Sequence, residues 1–210
     1  MKFSHSILAA MIVAPLSLSA LATAQGSIYD GCGVSKECLG YEIPGVPDEN
    51  ICLESQTCSL VISYTPSSPG FAFFEMMYAD PAAADGWVAI GFSADQAMGD
   101  DSVVMATATG AGGVTSRWNN GPPIRDSVET EDFGVVGAVV EAGEGTLYAA
   151  FELPVAFPSV NPNDGELKTE DLALDHIYLC AGGPLDATGE PVQHSIAKYS
   201  ENYIALPVVE

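Results

Sequence analysis

Beyond residue 58 the chain alternates short apolar, β-favouring runs with turns rich in Gly, Pro, Asn and Asp. The runs are Leu60 to Tyr64, Phe71 to Tyr78, Trp87 to Phe92, Ser102 to Thr109, Thr115 to Trp118, Phe133 to Glu141, Thr146 to Glu152, His176 to Ala181 and Tyr203 to Leu206. Turn sequences such as SSPG, ADPAAADG, NNGPP, EAGEG and PNDGE separate them. Within a run the period is two: Leu147, Ala149 and Phe151 share one face, while Tyr148, Ala150 and Glu152 share the other. No segment sustains a helical apolar stripe. Short strands in series without intervening helices predict an all-β fold, an antiparallel immunoglobulin-like β-sandwich, with a barrel as the alternative closure.

The first 24 residues follow a different pattern. Lys2 precedes an apolar run from Ile7 to Leu21, and Ala22-Thr23-Ala24 then supplies the small residues that signal peptidase cuts. A membrane anchor would need about 20 uninterrupted apolar residues, and Pro15, Ser17 and Ser19 interrupt this run. The expectation is a secretory signal at 1–24, a cysteine-containing segment at 25–58 packed on the domain, and the sandwich at 59–210. No later stretch has spanning length, so the mature product is expected to be secreted, with no integral membrane segment.

Cysteine placement agrees with an oxidising compartment, because Cys32, Cys38, Cys52 and Cys58 crowd into one short segment. Two disulfides are the expectation, and three connectivities stay open. The rival is a four-thiolate zinc site, which the five-residue gaps in CGVSKEC and CLESQTC fit poorly. Cys180, far downstream in a strand-like run, reads as a buried thiol or, less readily, an intermolecular bridge.

Composition narrows the function classes. Of 210 residues 48% are hydrophobic, enough for one sizeable core, while 6 Lys+Arg against 28 Asp+Glu leave a net charge of −22. So few cations cannot neutralise a phosphate backbone or grip anionic headgroups, which excludes nucleic acid and acidic membrane as partners.

Nucleophile motifs, Cys-x-x-Cys, His-Glu-x-x-His and phosphate-cradling glycine loops are all absent. No acid/base pair stands out among so many carboxylates. Asn161 to Glu166 has the oxygen-rich look of a calcium loop, but Pro162 and the missing downstream Glu favour a plain turn. After signal removal only His176 and His194 remain, with Met76, Met77, Met98 and Met105. Strand packing explains the methionines other than Met98, which sits in the polar connection Ser93 to Asp101, where a thioether needs a pocket or a metal to cover it. His194 lies in a late loop, Pro191 to Ser195. On residue type alone the simpler account prevails: Met98 plugs the end of the sandwich and His194 is solvated.

The stretch GWVAIGFSADQAMGDDSVV, Gly86 to Val104, changes that balance. It resembles the signature of DOMON domains, β-sandwich modules that bind haem or sugar and include the cytochrome domain of cellobiose dehydrogenase and the extracellular module of ferric-chelate-reductase-like proteins. GCGVSKEC followed by CSLVISY is similar to the cysteine-containing lead-in of the second group, and HIYLCAGGP followed by a His resembles a late block of the family. The resemblance implies a non-covalent haem b ligated by Met98 and by a late-loop histidine, here His194, with His176 as the competing ligand. It also implies an electron-transfer protein, not itself an enzyme, that meets a redox partner protein; the net charge of −22 adds the expectation of a basic docking surface on that partner, with plain solubility as the simpler role of the charge. A haem-free sandwich binding a sugar or other small ligand is the alternative. Trp87 and Phe92, with Trp118, are the expected apolar wall; Arg117, Arg125, Lys198 and Tyr199 are candidates to meet the propionates.

Overall fold

The computed structural model describes residues 27–42, 49–97, 99–108, 113–121 and 126–207. The expected signal at residues 1–24, Met98 and Arg125 lie outside the described residues. In chain order the elements are β1 (Glu37–Tyr41), α1 (Glu49–Ser55), β2 (Leu60–Ser68), β3 (Phe71–Ala79), β4 (Gly86–Ser93), β5 (Asp101–Thr107), β6 (Gly113–Asn119) and β7 (Ser127–Glu129). They continue with β8 (Val136–Gly143), β9 (Thr146–Pro154), β10 (Ala156–Val160), β11 (Leu167–Asp171), β12 (Ile177–Pro184) and β13 (Ile196–Tyr199).

A five-stranded sheet, β1-β2-β3-β9-β8, faces a six-stranded one, β13-β12-β4-β5-β6-β7, and every strand pair is antiparallel. The all-β sandwich is therefore the architecture of this chain. Alternation within each strand sends Leu60, Ile62, Phe74, Met76, Val88, Ile90, Phe92, Val104, Phe151 and Tyr178 into one core between the sheets. Aromatic rings fill its centre: Phe92 meets Tyr178 edge-on at 5.5 Å and Phe74 at 6.0 Å, geometries the ring quadrupoles favour.

A separate hairpin, β10-β11, closes one end of the sandwich. Phe157 on β10 stacks on Phe133 at 4.8 Å and touches Phe92 edge-on at 5.9 Å. Beside these rings the hairpin brings polar groups into the interior, where Ser102 donates to Glu170 Oε1 at 2.6 Å and lies 2.8 Å from the Ser159 hydroxyl. Buried polar groups persist only when paired, and Glu170 is saturated: Lys168 and His176 also meet its carboxylate. Asn161 to Glu166 is the turn of this hairpin, closed by Gly165 N–H donating to the Asn161 carbonyl at 2.9 Å.

The cysteines form two disulfides, Cys32–Cys38 and Cys52–Cys58, so the thiolates are not grouped for zinc. Ile28, Cys52, Cys58 and Val61 make a small apolar cluster with Met77 and Tyr148 on the outer side of the five-stranded sheet. An ion pair between Lys36 and Glu75 fastens the same segment, with Ser63 and Tyr148 donating to the Glu75 carboxylate. Cys180 is buried and belongs to neither bridge. Among the described residues no helix is long and apolar enough to cross a membrane.

Candidate functional site

Strand β4 is buried along its whole length, on both faces. One face is the core described above; the other carries Trp87, Ala89 and Gly91. Register extends this outer face across the sheet, because Ala89 pairs with Met105 and Ala181, Gly91 with Val103 and Leu179, and Ala181 with Ala197. Directly paired residues share a face, so glycine and three alanines lie side by side as a low floor. Val103, Met105, Leu179, Trp87 and Tyr199 stand around it, and the hollow they bound has a volume of about 840 Å³. That is within the range of small-molecule and cofactor sites.

Three connections wall this cleft. Gln96 and Ala97 come from the β4–β5 loop, Asn119, Asn120, Asp126 and Ser127 from the β6–β7 connection, and Pro191 to His194 from the β12–β13 loop. The first and third stand at opposite ends of β4: the β4–β5 loop leaves at Ser93, while the His194 loop lies beside Gly183, which pairs with Trp87. Ser93 and Trp87 are six residues apart, about 20 Å at the rise of an extended strand.

Local chemistry explains how each loop is held. Val192 N–H donates to the Pro184 carbonyl and Ser195 N–H to the Gly182 carbonyl at 2.9 Å, so the chain around His194 runs along β12. Gly183 permits the approach, since a Cβ there would come within 2.9 Å of His194 Cα. The β4–β5 loop is a nest of short bonds: Asp95 N–H donates to Ser93 Oγ at 3.2 Å, Ala97 N–H to Asp95 Oδ1 at 2.7 Å, and Gly99 N–H to Asp101 Oδ2 at 2.8 Å. Burial pushes the Asp101 carboxyl up to about 6, against the hydrogen bonds from Ser93 and Gly99 that favour its ionised form. On the other side Asn163 donates to Asn120, and Asn120 to Asp126, which ties the hairpin turn to the cleft wall.

Of the residues singled out in the sequence, the structure brings Trp87 and His194 together on the cleft. Trp87 is buried, and its indole N–H has no hydrogen-bond partner among the described residues. Phe92 belongs elsewhere. Strand alternation turns it to the core, between Phe74, Phe157 and Tyr178, so the expectation that it walls the cofactor is corrected. Trp118 pairs with Ser102, also on the core side. Tyr199, paired with Leu179, is on the cleft face, and Lys198, exposed on the edge strand β13, lines the same cleft. Arg117 is engaged by Ser127 and by Glu129 at 3.6 Å.

His176 is not placed to serve the cleft. Its Nδ1 lies 2.9 Å from the Leu174 carbonyl and its Nε2 3.2 Å from Glu170 Oε2, and it is buried under the β10-β11 hairpin. A carbonyl and a carboxylate only accept, so both contacts are satisfied when the ring is protonated. Burial alone would lower its pKa; the Glu170 and Leu174 bonds reverse this and hold it above the ordinary imidazole value. For Glu170, burial pushes up, and the bonds from His176, Lys168 and Ser102 hold the carboxyl below the usual range.

The floor residues Ala89, Gly91 and Ala181, and the carboxylate of Asp101, were not singled out from the sequence. Met105, expected in the core, packs with Trp87, Ala89, Val103 and Ala181 on the cleft face. Two small residues at alternate positions of β4, Ala89 and Gly91, were the available signal. The lining as a whole suits a flat, largely apolar group, met by the His194 loop at one end and the Trp87 side chain beside it.

No protein-family model matches the chain. Over 75 residues it is 37% identical to the human protein named DOMON domain-containing protein FRRS1L, and over 75 residues 36% identical to the mouse protein of the same name. Each match covers 36% of this chain, and the chain spans only 22% of the length of these curated relatives. The similarity supports a DOMON domain in this chain.

Proposed function

We propose that this chain is a secreted b-type cytochrome module, holding one haem b non-covalently in the cleft and passing electrons between extracellular redox partners. One arrangement carries the reading. The loop bearing His194 and the loop bearing Gln96 and Ala97, the residues just before Met98, line a single apolar cleft from opposite ends of β4.

On this reading His194 supplies an imidazole nitrogen and Met98 a thioether sulfur to the iron, and the floor of Ala89, Gly91, Ala181 and Ala197 admits a flat ring. Haem bound there supplies one-electron iron chemistry. Held by an imidazole and a thioether from this chain, such a haem would be suited to electron transfer rather than oxygen activation, and the chain would serve as a carrier and not as an enzyme. The sequence has no Cys-x-x-Cys-His, in keeping with a haem held without thioether bonds to the protein. The two disulfides fit an oxidising compartment. A net charge of −22 suits encounter with a redox partner whose docking surface is basic, through a small and transient contact.

Titration of the purified protein with haem b tests this proposal. The expected result is saturation at one equivalent, with a sharp Soret band and narrow α and β bands on reduction. A protein that stays colourless and takes up no haem contradicts it and favours the sandwich that binds a sugar or other small ligand.

A further inference from the structure

Asp101 is 2% exposed, although it follows a polar loop and the chain carries 28 acidic residues that nearly all could be solvated. Register places it on the cleft face: it pairs with Asn119, and its second neighbour along β5, Val103, lines the cleft. A carboxylate kept from water at the end of an apolar cleft is expensive unless its hydrogen bonds are needed. Its partners are specific. Oδ2 accepts the Gly99 N–H at 2.8 Å, and a second bond comes from the Ser93 hydroxyl, which in turn accepts the Asp95 N–H. These bonds join both ends of the β4–β5 loop to one carboxylate.

The turn so held has no freedom to settle by itself. Asp100 has φ +61° and Gly99 φ +137°, and a Cβ at Gly99 would come within 2.5 Å of Gly121 Cα. Asp100 N–H also donates to the Asn119 carbonyl at 2.7 Å. The segment is thus pressed against the β6–β7 connection in a backbone shape that an L residue rarely adopts, and a charge-assisted bond compensates.

We infer that Asp101 is the positioning residue of the site: its buried carboxylate clamps Gly99 and Ser93, and so fixes the β4–β5 loop, whose Gln96 and Ala97 wall the cleft and which carries the proposed ligand Met98. The inference rests on the cytochrome reading for the role of Met98, but the clamp itself does not. Asp101 touches no ligand; it acts through the turn.

The test compares Asp101→Ala, Asp101→Asn and Met98→Ala in the full chain. Asp101→Asn keeps an oxygen to accept the Gly99 N–H, whereas Asp101→Ala removes it. With haem b bound, Asp101→Ala is expected to show the same high-spin fraction as Met98→Ala, Asp101→Asn to stay low-spin, and the Met98→Ala/Asp101→Ala double variant to resemble Met98→Ala alone. Hydrogen exchange without haem is the second readout, in which the Gly99 amide should exchange at least tenfold faster in Asp101→Ala and near the wild-type rate in Asp101→Asn. A low-spin Asp101→Ala spectrum overturns the positioning role, as does an unchanged Gly99 exchange rate. If the wild type takes up no haem while Gly99 is released as described, the cytochrome reading fails and the clamp stands.

Discussion

Gly183 and His194 lie backbone to backbone, so close that a single added Cβ on the glycine would sit 2.9 Å from His194 Cα and 3.1 Å from the Gln193 carbonyl oxygen. Neither neighbour is the far end of a flexible side chain. The histidine loop therefore lies where it does because β12 offers a strip without side chains beneath it, and the first prediction follows from that contact.

Gly183→Ala should displace the His194 loop. Forcing a methyl against backbone costs about 1–3 kcal/mol, which for a chain of this size lowers Tm by roughly 2–4 °C for each kcal/mol. Calorimetry checks the stability loss, and haem titration should show weakened uptake with a high-spin component. A variant that melts lower but binds haem as the wild type does would show that the loop position is unimportant to the site.

The two faces of β4 should respond differently to substitution. Ala89→Leu projects new carbons into the cleft and is expected to weaken haem uptake at least tenfold with little change in Tm. Phe92→Leu leaves the cleft alone and removes volume from the core, costing about 1–3 kcal/mol of stability with unchanged haem affinity. Parallel titrations and melts of the two variants separate the faces.

The Glu170–His176 pair predicts a pH window. Glu170 is held below its ordinary value of 4.5, so its contribution is present above that value and is lost as pH falls through the lowered pKa. His176 is held above 6.5, so its contribution is present below 6.5 and is lost as pH rises through the raised pKa. The Tm difference between wild type and His176→Ala should peak between pH 4.5 and 6.5 and shrink on both sides. In that window the loss should be about 1–3 kcal/mol, because a buried carboxylate keeps its charge and loses a partner. The haem spectrum should stay low-spin; a high-spin His176→Ala protein would transfer the ligand assignment from His194 to His176.

Each disulfide closes a short loop, with its cysteines six residues apart. Chain entropy gives about 2 kcal/mol for a loop of this length. Cys52→Ala/Cys58→Ala, which also disturbs the cluster around Val61, should lose at least that much in a denaturant titration while leaving the haem spectrum unchanged.

Short apolar runs bounded by turns made the core sheets legible from the sequence, since Phe71 to Tyr78, and Thr146 to Glu152 with its alternation of Leu147, Ala149 and Phe151, occupy β3 and β9. Other strands were hidden by their own chemistry. β10 contains Pro158, and β11 reads Leu-Lys-Thr-Glu-Asp, whose buried Glu170 looks like surface until the hairpin folds it against Ser102. β1, β7 and β13 are edge strands of five, three and four residues, too short for a period to show. At the site the difficulty was one of sides. Trp87 to Phe92 is apolar at nearly every position because one face is core and the other is cleft, and a strand buried on both faces does not declare which is which. Phe92 was misplaced for that reason. Tyr203 to Leu206 forms an isolated bridge of Ile204 with His176 and one bond from Leu206 N–H to the Leu172 carbonyl instead of a strand, since an apolar run needs a neighbour in register to become one.

The ligand pair is the centre of the account, and near-infrared magnetic circular dichroism of the ferric, haem-loaded protein reads it most directly, because the energy of the porphyrin-to-iron charge-transfer band depends on the two ligands and differs between a thioether–imidazole pair and two imidazoles. The account predicts the thioether–imidazole signature in the wild type and its loss in both Met98→Ala and His194→Ala. A bis-imidazole or high-spin signature in the wild type, or a thioether–imidazole band that survives His194→Ala, would contradict it.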